Sequence, residues 1–123
     1  MINKKFILIA EDDPAYGSVY KAKLEKEGYE VTLVPRGDEV LAVLKERKPD
    51  LMILDLLMPG RNGFEILSDM QSDPNLKDIK CIVASNLSQD VDHEKALKNG
   101  AIDFFVKSDI SIIDMVDKIK SHL

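Results

Sequence analysis

The sequence predicts a doubly wound α/β domain in which five parallel strands, in the order 2-1-3-4-5, are covered by five helices. Short apolar runs alternate with segments of helical period along the whole chain, as in a parallel sheet buried on both faces. The length of 123 residues fits one domain, and residues 1–123 are expected to form it. Right-handed crossovers then leave few topologies, and 2-1-3-4-5 is the one most compatible with the alternation.

Residues 6–10 read as the first strand, leading to Asp13 as a helix N-cap and Pro14 as the first helical residue. Tyr16, Tyr20 and Leu24 share one face of that helix, and Gly28 closes it. Residues 31–34 form the second strand, followed by a helix whose inner face carries Val40, Leu41 and Leu44. The third strand, 51–54, is followed by a helix facing inward with Phe64, Leu67 and Met70. Residues 79–84 are the fourth strand and 91–97 the fourth helix, closed by Gly100. Residues 103–106 complete the sheet, and Ile112, Val116, Ile119 and Leu123 line the last helix.

With 45% hydrophobic and 32% charged residues, the chain has neither a disordered nor a membrane-embedded composition. No apolar run approaches the roughly 20 residues needed to cross a bilayer, and Met1-Ile2-Asn3-Lys4-Lys5 leads straight into a strand, so a cytoplasmic location is expected. A formal net charge of −5 disfavours direct nucleic-acid binding, which draws on phosphate contacts from Lys and Arg. The single Cys81, followed by Ile82 and Val83, reads as a small buried strand residue.

In an open α/β sheet the ligand site lies beyond the carboxyl ends of the strands, where strand order reverses. The first strand ends in Glu11-Asp12-Asp13, the third in Asp55, the fourth in Ser85 and the fifth in Lys107. Adjacent first and third strands would bring Glu11, Asp12 and Asp55 into one crevice, where they stay ionised only beside a cation. Hard oxygen donors with few others suit Mg²⁺, which takes one or two carboxylates plus phosphate oxygens. Lys107 adds a second positive charge and Ser85 a hydroxyl, so the group describes a phosphoryl site with Asp55 as nucleophile.

Plainer roles exist for several of these residues. Glu11 and Asp13 favour the positive end of the first helix, and Asp13 reads primarily as its cap. Asp12 directly follows a buried strand, where charge is disfavoured. Ser85 alone would start a turn, and Lys107 alone would be a solvated loop residue. Asp55, between Leu54 and Leu56, is the hardest to explain without a partner. His93 and His122 sit among polar neighbours and read as exposed surface residues, while Lys21, Lys23, Lys26, Lys45, Arg47 and Lys48 read as solvated helix faces.

The segments Ile7-Leu8-Ile9-Ala10-Glu11-Asp12-Asp13-Pro14, Pro49-Asp50-Leu51-Met52-Ile53-Leu54-Asp55-Leu56-Leu57-Met58-Pro59-Gly60 and Gly100-Ala101-Ile102-Asp103-Phe104-Phe105-Val106-Lys107 resemble the response-regulator receiver family, of the chemotaxis-type single-domain kind. The resemblance covers essentially the whole chain and implies a flavodoxin-like fold. It implies Asp55 as phosphoacceptor, with Asp12, Asp55 and the backbone carbonyl of Leu57 as direct Mg²⁺ ligands and Glu11 acting through water. Ser85 would move toward the phosphoryl group, Lys107 would be its ion partner, and the rotamer of Phe104 would follow. Phe104 lacks a hydroxyl, so any switch there works by packing. In the family the side chains corresponding to Leu57 and Leu87 flank the approach of hydrolytic water, which two leucines cannot orient.

The family commonly has Pro after the lysine; here Ser108 follows Lys107, and a trans bond is expected, since a non-proline cis bond costs about 2.5–4 kcal/mol. The implied partners are a histidine kinase or histidine phosphotransfer protein and a downstream protein. Homodimerisation through the face of the fourth helix, fifth strand and fifth helix would be isologous. No turnover enzyme is implied: the domain would catalyse its own phosphorylation and slow dephosphorylation. A pseudo-receiver, which binds partners without phosphorylation, usually lacks the acceptor, metal or lysine residues, all present here. A nucleotide binder would need a Gly-rich loop where Glu11-Asp12-Asp13-Pro14 stands, and a metal-dependent phosphatase a second carboxylate shortly after Asp55.

Overall fold

The structure, a computed structural model, describes residues 3–87 and 90–123, with Asp90 described by its backbone. Five strands, β1 (Phe6–Ala10), β2 (Glu30–Val34), β3 (Leu51–Leu54), β4 (Cys81–Ser85) and β5 (Asp103–Val106), form one parallel sheet in the order β2-β1-β3-β4-β5. Five helices connect or follow them: α1 (Pro14–Lys26), α2 (Gly37–Glu46), α3 (Gly63–Gln71), α4 (Asp90–Lys98) and α5 (Ile112–Ser121). A 3-10 turn at Lys107–Asp109 leads from β5 toward α5.

Successive side chains of a strand point to opposite faces, and the central strands are apolar at both sets of positions. Leu8, Ala10, Met52, Leu54 and Val83 pack on one face with Val40 and Leu44 of α2, Ile66, Leu67 and Met70 of α3, and Ala96 of α4. Ile7, Ile9, Ile53, Ile82 and Phe105 pack on the other with Tyr20 and Leu24 of α1 and Met115, Val116 and Ile119 of α5. Burial of each large side chain contributes about 1.5–3 kcal/mol, so truncating Leu8 or Ile53 removes both transfer energy and packing. Cys81 is buried, as expected, and burial pushes its thiol up to about 12.

Caps set the helix ends. Asp13 accepts a hydrogen bond from the Ala15 N–H at 2.9 Å with Pro14 in the first turn, so the capping role expected of it is realised. Asn62 and Glu65 form a reciprocal capping box that starts α3 directly after the β3 loop. Gly28 and Gly100, with φ of 98° and 104°, close α1 and α4 in the left-handed region that other residues resist.

Several sequence expectations about the elements need correction. The fourth strand spans 81–85 rather than 79–84: the Ile79 N–H donates to Leu76 O, ending a turn, and the strand runs on to Ser85. The second strand starts one residue earlier, at Glu30. Arg47 and Lys48 are exposed, as expected, but lie beyond α2 and not on its face: Arg47 is the C-cap, pairs with Glu30, and holds its guanidinium 4.1 Å from the Phe6 ring centroid. Asp12 is exposed, so its desolvation is not what marks the site. Among the described residues no helix is long and apolar enough to cross a membrane.

Candidate functional site

Sheet register assembles the site. Ala10 of β1 stands opposite Leu54 of β3, and the Asp55 N–H donates to Ala10 O at 2.9 Å, so the residues that follow the two strands, Glu11 and Asp55, emerge side by side. On the neighbouring pair, Ser85 of β4 is in register with Val106 of β5, which delivers Lys107 next. Four polar side chains at these strand ends, Glu11, Asp55, Ser85 and Lys107, are thereby buried in a molecule whose remaining buried residues are largely apolar. Buried charge at this density is retained only when paired or coordinated.

The Lys107 Nζ donates to Glu11 Oε1 at 2.6 Å and to Asp55 Oδ2 at 3.2 Å. One ammonium is shared by two buried carboxylates, with the Asp12 carboxylate within reach of both: Glu11, Asp12 and Asp55 each place one oxygen within 4.8 Å of the others. The electrostatics follow from that count. Burial pushes the Glu11 carboxyl up to about 7, against the hydrogen bonds from Lys107 and the Asp13 N–H, and the neighbouring Asp55 charge adds to the rise. Burial alone would lower Lys107, yet the hydrogen bond to Glu11 and the two negative charges hold its ammonium above the usual range. The lysine gains from two anions, whereas each anion has half a cation. The group is short of positive charge, and three hard oxygen donors fit a divalent cation such as Mg²⁺.

Further contacts orient the groups. The Leu57 N–H donates to Asp55 Oδ1 at 3.3 Å, which holds the Leu57 backbone beside that carboxylate. Gly63, at the start of α3, packs so tightly behind Asp55 that a Cβ there would lie 2.5 Å from the Asp55 carbonyl oxygen. Lys107 sits 4.6 Å from the centroid of the Tyr16 ring, a cation–π contact that α1 contributes from above the sheet end. The Ser108 N–H donates to Asn86 Oδ1 at 2.9 Å, tying the loop after β5 to the loop after β4. The Lys107–Ser108 bond is trans, as expected.

Ser85 Oγ accepts from the Leu87 N–H at 3.2 Å. Phe104 is half-buried on β5, and Leu87 packs in part against the same apolar layer, whereas the Leu57 side chain is 59% exposed. The two leucines expected to flank the acceptor are therefore unequal: Leu57 is free to overhang the site and Leu87 is partly engaged with the core.

Both histidines depart from the surface role expected of them. His93 is half-buried, its ring 3.7 Å from the Phe104 ring centroid to centroid, and its Nε2 lies 3.1 Å from Leu87 O. His122, also half-buried, meets Asp103 Oδ2 at 2.9 Å, where Lys118 converges as well. The polar neighbours of each residue in the sequence hid these contacts, which come from other elements. Tyr16 was likewise visible only as a helix-face residue, and nothing in its local sequence marked Gly63.

A family model described as the response regulator receiver domain matches residues 7–120. The phosphate regulon transcriptional regulatory protein PhoB of Rhizobium meliloti is 32% identical over 117 residues, covering 95% of this chain and 51% of PhoB. Protein PilH of Pseudomonas aeruginosa is 32% identical over 101 residues, covering 82% of this chain and 84% of PilH. The chain thus spans about half the length of PhoB and, at 47%, of the Escherichia coli transcriptional regulatory protein RstA. Among solved structures, the signal receiver domain of a signal transduction histidine kinase from Syntrophus aciditrophicus superposes with a TM-score of 0.87 at 33% identity, covering 97% of this chain and 89% of that one. The BeF3-activated N-terminal receiver domain of Klebsiella pneumoniae RstA superposes with a TM-score of 0.86 at 29% identity, covering 96% and 97%. With Glu11, Asp12, Asp55 and Lys107 meeting at the carboxyl edge of a 2-1-3-4-5 sheet, the chain belongs to the response regulator receiver domain family of two-component systems.

Proposed function

We propose that Asp55 is the phosphoacceptor of this receiver domain and that Glu11, Asp12, Ser85 and Lys107 serve its reaction. The observation that carries the reading is the arrangement of two buried carboxylates around one shared ammonium, with a third carboxylate beside them. Asp12, Asp55 and the Leu57 carbonyl would hold Mg²⁺, with Glu11 acting through a water. Bound there, the metal would neutralise charge on the phosphoryl oxygens.

The Asp55 carboxylate is held in place for attack by the Leu57 N–H on Oδ1 and by Lys107 on Oδ2. One carboxylate oxygen forms the new bond to phosphorus while the bond from phosphorus to the donor breaks, and the departing group keeps that electron pair. Lys107 then has a phosphoryl oxygen to pair with in place of a carboxylate oxygen, and the Ser85 hydroxyl, whose lone pair already accepts from Leu87, has its proton available for another. A histidine kinase or histidine phosphotransfer protein would be the physiological donor. The apolar side chains exposed on α4 and α5, Val91 and Leu97 on one and Ile113 on the other, suit a downstream protein partner or a second copy of the chain. The reading also takes residues 1–123 as one functional domain, acting in the cytoplasm, without direct contact to nucleic acid or membrane, and catalysing only its own phosphorylation and slow dephosphorylation.

Intact-mass measurement after incubation with a small phosphodonor tests the reading. One phosphoryl group should be gained with Mg²⁺ and none with excess chelator. Equal gain under both conditions would refute the metal-assisted scheme.

A further inference from the structure

The geometry points to His93 as a positioning residue that couples the Ser85 hydroxyl to the Phe104 ring, an inference that rests on the phosphoacceptor reading above. The His93 and Phe104 rings lie 3.7 Å apart at their centroids with an interplanar angle of 31°, close enough to be stacked. His93 Nε2 lies 3.1 Å from Leu87 O. A carbonyl oxygen only accepts, so Nε2 carries the proton and the ring is oriented by the contact. The N–H of the same Leu87 donates to Ser85 Oγ. The path therefore runs without a gap from the Phe104 ring, through the His93 ring and the Leu87 residue, to the Ser85 hydroxyl.

Two consequences follow. Phe104 has no hydroxyl and cannot itself hydrogen-bond the loop after β4; the imidazole that rests on it makes that bond instead. Moreover, movement at one end is felt at the other. If Ser85 turns toward a phosphoryl oxygen, its bond to the Leu87 N–H is strained or lost, the Leu87 carbonyl is no longer held in the same place, and His93 loses the contact that keeps it over Phe104. Conversely, a new Phe104 rotamer removes the surface on which His93 stacks. Because His93 belongs to α4, the coupling also carries the change to a helix that bears exposed apolar side chains.

The two contacts separate by substitution. His93→Phe keeps an aromatic ring for Phe104 but has no donor for Leu87 O, and His93→Gln keeps a donor but no ring. The experiment is a beryllofluoride titration of the Mg²⁺-loaded protein followed by NMR, reading the Ser85 and Leu87 amides and the Phe104 ring, with Mg²⁺ affinity measured separately. In wild type, the Ser85, Leu87 and Phe104 signals should shift with one common midpoint. In His93→Phe, beryllofluoride affinity should change by about three- to tenfold, the effect of one hydrogen bond, with Mg²⁺ affinity unchanged. In His93→Gln, the Ser85 and Leu87 shifts should persist while the Phe104 ring shift shrinks. Wild-type affinity and wild-type shifts in both variants would overturn the coupling while leaving the acceptor reading intact. A wild-type protein whose Asp55 and Ser85 amides ignore beryllofluoride would overturn the acceptor reading, and the coupling with it. Should His93→Phe fail to fold, His93→Gln decides alone by whether the Phe104 shift persists in full.

Discussion

Lys107 lies closer to Glu11 than to Asp55: its Nζ is 2.6 Å from Glu11 Oε1 and 3.2 Å from Asp55 Oδ2. The lysine is thus drawn toward Glu11 rather than toward the proposed phosphoacceptor. Glu11, despite that partner, is held near neutrality in its titration because it is buried beside another carboxylate.

A pH dependence follows. The Glu11 carboxyl titrates at about 7 in the folded protein against 4.5 for the ordinary group, so between those values the folded state holds a proton that the unfolded chain has released. Its contribution to stability is full below pH 4.5 and is lost as pH rises through about 7, by at most about 3 kcal/mol. Lys107, raised above its usual range, stays charged throughout. Chemical denaturation without metal should give a lower unfolding free energy at pH 8 than at pH 5.5, and Glu11→Gln should shrink that difference. A wild-type unfolding free energy that falls over this interval no more than the variant's would contradict the assignment.

Mg²⁺ should bind to the native protein and lose affinity by about tenfold or more in Asp12→Ala, since removing even a supporting group of a metal site has an effect of that size. Isothermal titration reads this directly. Indistinguishable isotherms for wild type and variant would mean that the exposed Asp12 carboxylate takes no part.

Gly63 should resist substitution. A Cβ there would lie 2.5 Å from the Asp55 carbonyl oxygen and 2.8 Å from the Leu56 Cα, both backbone atoms with little room to yield. Gly63→Ala should destabilise the fold by about 1–3 kcal/mol and slow phosphorylation by displacing Asp55. A variant with wild-type denaturation midpoint and labelling rate would show that the loop yields freely.

The lifetime of the phosphorylated state should depend on Leu57 and Leu87. Leu57 is exposed beside Asp55 and its side chain offers no hydrogen bond to an attacking water, while Leu87 is half-buried against the apolar layer. After removal of the donor, Leu57→Asn combined with Leu87→Glu should lose the phosphoryl group severalfold faster than wild type, with most of the gain from Leu57→Asn alone. Equal or slower decay in the double variant would exclude shielding.

Much of this architecture was legible because the central strands are apolar at nearly every position and several helix ends carry a recognisable cap, as at Asp13, Gly28 and Gly100. Glu11, Asp12, Asp55, Ser85 and Lys107 were legible for a related reason: they lie at or just beyond the ends of apolar runs, and parallel register brings those ends together. The start of β4 was not legible, since Ile79 is as apolar as the strand it precedes but is occupied by a turn bond to Leu76. Nor were the roles of His93, His122, Tyr16 and Gly63, because each depends on a partner from another element of the fold. Local polarity predicts exposure only where nothing distant packs against the side chain.

Borohydride trapping of the acyl phosphate, followed by peptide mapping, tests Asp55 as acceptor most directly. After reaction with a small phosphodonor and Mg²⁺, the modified residue should be Asp55, and Asp55→Asn should leave the protein unlabelled. Modification mapped to Glu11 or Asp12 in wild type, or labelling of Asp55→Asn equal to that of wild type, would contradict it.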